Sequence, residues 1–190
     1  MKLSGKRIAV LIEKEFEDLE FWVPVMRLRE EGAEVVVVGT GSADSYKGKH
    51  GLPGKPDTTA GEVSAAEFDA IVVPGGWAPD KLRRYKPVLD LVKGIYDDGK
   101  IVGAICHAGL VLISAGIIQE GRPSTGSLGI KDDLLNAGAT WRDEPAFRDG
   151  QIVWGRVVED IPDFSRELVA ALAGESSPAE EAGEQAAVAK

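Results

Sequence analysis

The only cysteine, Cys106, is followed directly by His107 in the stretch G-K-I-V-G-A-I-C-H-A-G-L-V-L-I-S-A-G. The apolar run 101–105 predicts a buried strand, and residues 108–115 predict a helix that ends at Gly116. Cys106 is therefore expected at a strand-to-helix turn, where the positive end of the helix favours a thiolate. We interpret the pair as a nucleophile and its base at a nucleophile elbow, and we expect a depressed pKa for Cys106.

Two other segments are expected at the same edge of the sheet. Glu17 and Asp18 follow the first predicted strand, and Gly75 and Gly76 follow the third. The glycines allow a backbone shape that presents amide N–H groups to a ligand, and ligand sites in parallel sheets lie at the carboxyl ends of strands. The alternatives are ordinary helix-start charges and a tight turn. Residues 124–133 would cap the site or only connect elements.

The order of the elements predicts an α/β fold, a three-layer sandwich with a mainly parallel, flavodoxin-like sheet. A Gly- and Ser-rich excursion, 40–56, is expected to form a hairpin or loop. The last two strands are expected on either side of a D-G turn at 149–150. The predicted strands are 7–12, 34–39, 70–74, 101–105, 140–142 and 151–156, and the predicted helices are 16–31, 87–98, 108–115, 130–137 and 161–173.

The sequence also predicts the buried face of the first helix and the bounds of the folded domain. In the first helix, the apolar side chains that approximate one face are Leu19, Trp22, Val23, Met26 and Leu28. Residues 1–173 are expected to form one catalytic domain. Residues 174–190 are acidic and have no aromatic residue, so we expect a disordered tail.

Composition restricts the function further. The chain has 190 residues and a formal net charge of −9, which argues against binding nucleic acid through its phosphates. One cysteine cannot form an internal disulfide, and no Cys/His cluster suggests a metal. The N-terminus lacks the apolar core of a signal peptide, and no apolar run reaches membrane-spanning length. A cytoplasmic protein with no membrane partner is expected.

Four motifs in consistent order resemble the ThiJ/PfpI family within the class I glutamine amidotransferase-like fold. They read E-F-E-D, P-G-G-x-A-P-D, A-I-C-H and G-I-K-D-D-x-x-N-A-G, and the resemblance spans residues 6–173. More narrowly, the chain resembles the intracellular-protease PfpI branch, whose members are described as peptidases, protein deglycases and glyoxalases. The resemblance implies a small carbonyl substrate or a protein adduct, and no cofactor or metal.

The resemblance also implies a role for each matching residue. Cys106 would be the nucleophile and His107 its general base and acid, while Glu17 would share a proton with the sulfur. The backbone amides of Gly76 and His107 would form the oxyanion hole. Asp80, where the branch usually has Glu, would reach His107 from a neighbouring subunit, which implies a homodimer or a larger homo-oligomer.

Two smaller comparisons complete the resemblance. The chain has Ala108 and Gly109 where relatives often have Gly-Pro. His50 matches the K-H-G loop of the family and is expected to be structural or exposed.

The same parts fit more than one reaction. Thiolate addition to a carbonyl, with an oxyanion held by two amides, serves hemithioacetal formation as well as amide hydrolysis. We favour a glyoxalase or deglycase. The alternatives are a cysteine peptidase, a redox-sensing stress protein or chaperone without enzymatic activity and, more weakly, a glutaminase subunit.

Overall fold

Runs rich in valine and isoleucine form the central strands of the sheet, because β-branched side chains suit strands that are covered on both faces. The computed structural model describes residues 1–179. Its strands are β1 (Arg7–Leu11), β2 (Glu34–Gly39), β3 (Tyr46–Lys47), β4 (Pro53–Gly54), β5 (Thr58–Thr59), β6 (Ala70–Val73), β7 (Ile101–Ile105), β8 (Pro123–Ser124), β9 (Thr140–Trp141), β10 (Ala146–Asp149) and β11 (Ile152–Gly155). Its helices are α1 (Asp18–Glu30), α2 (Ala78–Leu82), α3 (Lys86–Asp97), α4 (Gly109–Ser114), α5 (Lys131–Asn136) and α6 (Ile161–Ala173).

Seven strands form the central sheet in the order β10-β11-β7-β6-β1-β2-β5. Every neighbouring pair is parallel except β10–β11. Helix α1 packs on α6, whereas α4 packs on α2, α3 and α5, so that helices form two layers around the sheet. The predicted α/β fold with a mainly parallel sheet is confirmed. The carboxyl ends of β1, β6 and β7 lie side by side at the centre of the sheet.

The D-G turn joins a different pair of strands from the one predicted. It connects β10 to β11, whereas β9 pairs with β8 in a separate two-stranded sheet. The prediction missed β10 because its sequence, A-F-R-D, is half polar. Ala146 and Phe147 are nevertheless buried, and they hold β10 on the edge of the sheet.

The predicted apolar face of α1 is wrong at three positions, whereas Leu28 is buried as predicted and Trp22 is partly buried. Leu19, Val23 and Met26 are exposed, whereas Phe21, Val25 and Leu28 are fully buried. The helix is rotated so that Phe21, Val25 and Leu28 pack on the core and Leu19, Val23 and Met26 face outward. The rotation decides which acidic side chain of α1 reaches the site.

Residues after α6 remain packed on the domain as far as they are described. Gly174, with φ of 73°, ends the helix, and the buried hydroxyl of Ser177 donates to the Glu167 carboxylate at 2.9 Å. The amide of Ala179 also donates to Glu167, at 2.6 Å. The first six residues of the predicted tail therefore differ from the expectation, and residues 180–190 lie outside the described chain. No helix within residues 1–179 combines the length and the apolar character needed to cross a membrane.

Candidate active site

Cys106 lies at the point where β7 gives way to a short 3-10 turn over residues 106–108, which leads into α4. Its φ is 61°, in the left-handed region that non-glycine residues seldom occupy. The amide of Ser127 donates to the Cys106 carbonyl at 3.1 Å and helps to hold this conformation. The predicted nucleophile elbow is confirmed. Backbone strain at such a position is typical of functional sites.

The P-G-G loop after β6 is interlocked with the loop after β1. The amide of Glu17 donates to the Gly75 carbonyl at 3.1 Å, and the amide of Trp77 donates to the Glu15 carbonyl at 2.9 Å. Gly76 has φ of 76°, and a Cβ there would overlap the Glu17 amide and lie 2.6 Å from the Glu15 carbonyl oxygen. Only glycine fits at this position.

Two backbone amides are directed at the sulfur. The backbone amides of Gly76 and His107 both act on the Cys106 thiol in the direction that lowers its pKa. These are the amides that the resemblance assigns to an oxyanion hole.

The carboxyl group beside the sulfur belongs to Glu20, and the expectation that Glu17 would approach the sulfur is wrong. Glu17 is the N-cap of α1, and its Oε2 accepts from the amides of Leu19 and Glu20 at 2.8 and 2.9 Å. Glu20 is fully buried one turn later and accepts from the Gly75 amide at 2.9 Å. A Cβ on Gly75 would lie 2.4 Å from Glu20 Oε2 and 3.1 Å from the Cys106 sulfur, so the carboxyl group and the sulfur flank the same glycine. The sequence spacing of Phe21, Val25 and Leu28, four and three residues apart, was the available signal for the buried face of α1 that lies beside Glu20.

The expected depression of the Cys106 pKa is also wrong. Burial and, second, the charge of Glu20 raise the pKa of Cys106 to about 12, although the two amides act in the opposite direction. Burial and, second, the charge of Glu17 raise the pKa of Glu20 to about 7. At neutral pH the sulfur is therefore a protonated thiol beside a carboxyl group that is close to half ionised.

His107 is placed to accept the thiol proton. Its Nδ1 lies 3.3 Å from the Cys106 sulfur, and its ring centroid lies 5.5 Å from that of Trp77. Burial and, second, the positive charge of Lys49 lower the pKa of His107, so that the imidazole is neutral at pH 7. Within residues 1–179, no carboxylate forms an ion pair with His107.

Asp80 lies on α2, where its half-exposed side chain pairs with Arg84. It lines the same surface cleft as His107 but makes no hydrogen bond with it in the described chain. The sequence predicted a contact between Asp80 of one subunit and His107 of another. The structure contains one chain, so this contact stays a prediction.

Two cavities meet at Trp77 and His107. The inner pocket, of about 220 Å³, opens onto Cys106 and Glu20 and is also lined by Lys49, His50 and Ser127. The outer cleft, of about 580 Å³, holds Asp80 beside Trp77 and His107. Sequence reasoning missed Trp77 and Lys49, although each adjoins a motif residue. No group of three or more potential metal-ligating acids, histidines or cysteines occurs within residues 1–179.

His50 is exposed at the mouth of the inner pocket, with its Nε2 3.5 Å from Glu17 Oε1. It belongs to a loop that closes one side of the site.

Comparison with known proteins shows the family of the chain. The model of the DJ-1/PfpI family matches residues 6–171. The chain belongs to the DJ-1/PfpI family. It is 40% identical over 163 residues to "Deglycase PfpI" of Pyrococcus furiosus, which covers 86% of this chain and 97% of that relative. It is 38% identical over 163 residues to "Putative cysteine protease YraA" of Bacillus subtilis, which covers 86% of this chain and 96% of that relative.

Among solved structures, a two-domain protein of Anabaena variabilis with DJ-1/ThiJ/PfpI-like and ferritin-like domains is similar. The TM-score is 0.85 at 39% identity, over 90% of this chain and 49% of that one. The likeness extends over most of the chain and agrees with the α/β fold described above.

Proposed function

We propose that this DJ-1/PfpI protein is a cysteine-dependent enzyme that acts on reactive carbonyls or on glycated protein adducts, in the manner of a deglycase or glyoxalase. The observation that supports it most is the placement of Cys106 in a small pocket under two backbone amides. Relatives named deglycases cover most of the chain at 40% identity. A pocket of about 220 Å³ fits a compact carbonyl group.

The reaction begins from the thiol. As the sulfur bonds to the carbonyl carbon, its proton passes to Nδ1 of His107, and the π electrons of the carbonyl move onto oxygen. The amides of Gly76 and His107 stabilise the oxyanion, at roughly 3 to 4 kcal/mol per donor. Return of the proton from the imidazolium to the oxygen gives a neutral hemithioacetal. Transfer of the proton on its carbon to the adjacent carbonyl carbon of a 2-oxoaldehyde gives a thioester, which water hydrolyses to lactate and the free thiol of Cys106. A glycated hemiaminal enters the same route once its C–N bond breaks and the amine leaves. The buried carboxyl group of Glu20 exchanges protons with the same sulfur near neutral pH.

The proposal is tested with methylglyoxal and a glycated peptide, using the wild type and Cys106→Ser. Consumption of methylglyoxal with formation of lactate, or release of free amine from the peptide, is expected only in the wild type. Equal rates in the two proteins would exclude Cys106 as the nucleophile.

A peptidase is the second candidate, and the outer cleft is the observation that favours it. A chain could run through the cleft of about 580 Å³ while a carbonyl group enters the inner pocket. Cleavage of an unmodified fluorogenic peptide that disappears in Cys106→Ser, without consumption of methylglyoxal, would favour this reaction instead.

We propose further that the active form is a homo-oligomer in which Asp80 of one subunit orients His107 of another. The exposed Trp77, with 51% of its surface accessible, and the half-exposed Asp80 lie beside His107 on one open face. A twofold dimer through this face would build two complete sites, since each subunit would give and receive one acid.

Mixing two inactive variants tests the shared site. Cys106→Ala and Asp80→Ala subunits are expected to regain part of the activity when mixed, because some mixed dimers contain one complete site. A fully active monomer, or mixtures that never recover activity, would contradict the shared role of Asp80.

A further inference from the structure

The tip of the β3–β4 hairpin, residues 48–52, is fixed to the start of α1 by one carboxylate. Asp18 Oδ2 accepts from the His50 amide at 2.8 Å, and Asp18 Oδ1 accepts from the Leu52 amide at 2.7 Å. The Lys49 amide donates to the Phe16 carbonyl at 2.8 Å. Asp18 is only 3% exposed, so both of its oxygens are committed to the tip. The hairpin tip is therefore held against α1 by buried bonds.

Gly48 shows how closely the hairpin tip approaches this carboxylate. A Cβ on Gly48 would lie 2.5 Å from Asp18 Oδ2, which is closer than real Cβ atoms come to an oxygen. Any side chain at Gly48 must therefore push the tip away from Asp18.

The hairpin tip brings a cation to the inner pocket. Lys49 lines the pocket beside Cys106, and its charge acts on both Glu20 and His107. Among the described side chains that line this pocket, Lys49 is the only lysine or arginine.

We propose that Asp18 is a positioning residue, which fixes the hairpin tip so that the ammonium group of Lys49 faces the two proton-carrying side chains, Glu20 and His107. The assignment of a reaction to this site rests on the proposed function, but the placement of Lys49 does not. Asp18 itself makes no contact with the sulfur; it acts through the loop. A carboxylate is required because both acceptor oxygens are used, whereas asparagine would direct an amide N–H at one of the loop amides.

Other charged groups face the same side chains. Glu20 is faced by Glu17 from its own helix and by Cys106 from the end of β7. The remaining charged or titratable side chains that line the inner pocket or the adjoining cleft are His50, Glu159, Glu15, Asp80, Lys81, Arg83 and Asp133. Lys49 differs from these in that its charge acts on both Glu20 and His107.

The test is the rate of Cys106 alkylation by iodoacetamide as a function of pH, which needs no substrate. In the wild type, ionisation of Glu20 near pH 7 produces an inflection, because its charge disfavours the thiolate. Lys49 lowers the pKa of Glu20, so Lys49→Met is expected to move the inflection upward. Asp18→Asn and Gly48→Ala are expected to move the inflection in the same direction. The double variant, Asp18→Asn with Lys49→Met, is expected to move the inflection no further than Lys49→Met alone. Added salt should shrink the difference between wild type and variants.

Asp57→Asn is the matched control. Asp57 Oδ2 accepts from the Val37 amide at 2.8 Å, but Asp57 lines neither cavity at the active site. It is expected to lower the melting temperature without moving the inflection. The proposal is overturned if Lys49→Met leaves the inflection in place, if Asp18→Asn behaves like Asp57→Asn, or if the double variant is additive. None of these outcomes depends on whether methylglyoxal or a glycated peptide is a substrate.

Discussion

The inner pocket and the outer cleft share Trp77 and His107, yet they are built in different ways. Around Cys106 the walls are backbone loops bonded to one another and a fully buried Glu20. The outer cleft is lined by side chains in partly exposed ion pairs, such as Lys81 with Glu15 at 2.7 Å. A single chain therefore supplies all the groups around Cys106 that would take part in bond making and breaking. It leaves open the face on which specificity and the orientation of His107 depend.

This contrast explains why the inner pocket tolerates so little change. Its geometry depends on positions where a side chain has no room, whereas the outer residues are held by pairs that contribute little stability when exposed. Substitutions in the inner pocket should therefore have larger effects than substitutions in the outer cleft.

The largest effect is expected at Gly76. Gly76→Ala would displace the Glu15 and Glu17 backbone and move one oxyanion donor, so that turnover should fall by about 10²-fold or more. Gly116→Ala is the control, because Gly116 has φ of 69° but nothing within 4 Å of its Cβ position. An equal loss in both variants would mean that backbone strain alone, and not the site, accounts for the effect.

The next largest effect concerns stability and pH. The pKa of Glu20 rises from 4.5 to about 7 on folding, so the folded state holds this proton more tightly. The stability from this proton is fully present below pH 4.5 and is lost as the pH rises through 7, a difference of about 3 kcal/mol. Thermal denaturation from about pH 8 down to pH 5 should show this gain in the wild type and not in Glu20→Gln. A gain of the same size in Glu20→Gln would assign it to other groups.

The reactivity of Cys106 should change by a smaller factor. Glu20→Gln removes a charge that raises the pKa of Cys106, so alkylation at pH 7 should become faster, about tenfold for each unit by which the pKa falls. Wild-type Cys106 should react more slowly than a free thiol. Glu17→Gln serves as a comparison, since it loses a helix cap worth about 1 kcal/mol and should change the alkylation rate less. Fast alkylation of the wild type at neutral pH would contradict the raised pKa.

The smallest effect is expected in the outer cleft. Arg84→Ala removes the exposed partner of Asp80 and should change the free energy of unfolding by no more than about 0.5 kcal/mol. Asp80→Ala should change stability as little but lower turnover. Parallel denaturant titrations and rate measurements compare the two, and a large stability loss in either would show that the cleft is built more rigidly than its exposure indicates.

The sequence predicted the strands that matter most for the site. The bounds of β2 and β7 agree with the prediction, because β2 contains four consecutive valines before Gly39 and β7 is an apolar run that ends at the Cys106 turn. The elbow at Cys106 followed from the order strand, Cys-His, helix. Local patterns of this kind are read directly from the chain.

Glu20 and the pKa of Cys106 could not be read in the same way. Glu17 and Glu20 are both acidic and lie one turn apart, so the choice between them depends on how α1 rotates against the sheet. The sequence shows that Cys106 lies at a helix N-terminus, whose positive charge lowers a thiol pKa. The burial that raises the pKa of Cys106 by more depends on the assembled core and is not visible in the sequence. Asp80 remains a prediction because its partner would come from another subunit.

The bridge between Phe16 and Gly76 joins segments that are sixty residues apart, and Cys106 lies a further thirty residues along the chain. Contacts of such long sequence separation form late in folding, because loop closure must come first. A chain that has opened this bridge would carry a solvated cysteine with an ordinary pKa near 8.5. Because Cys106 reacts slowly in the native protein, its alkylation rate reports how often this part of the fold opens briefly and exposes the sulfur.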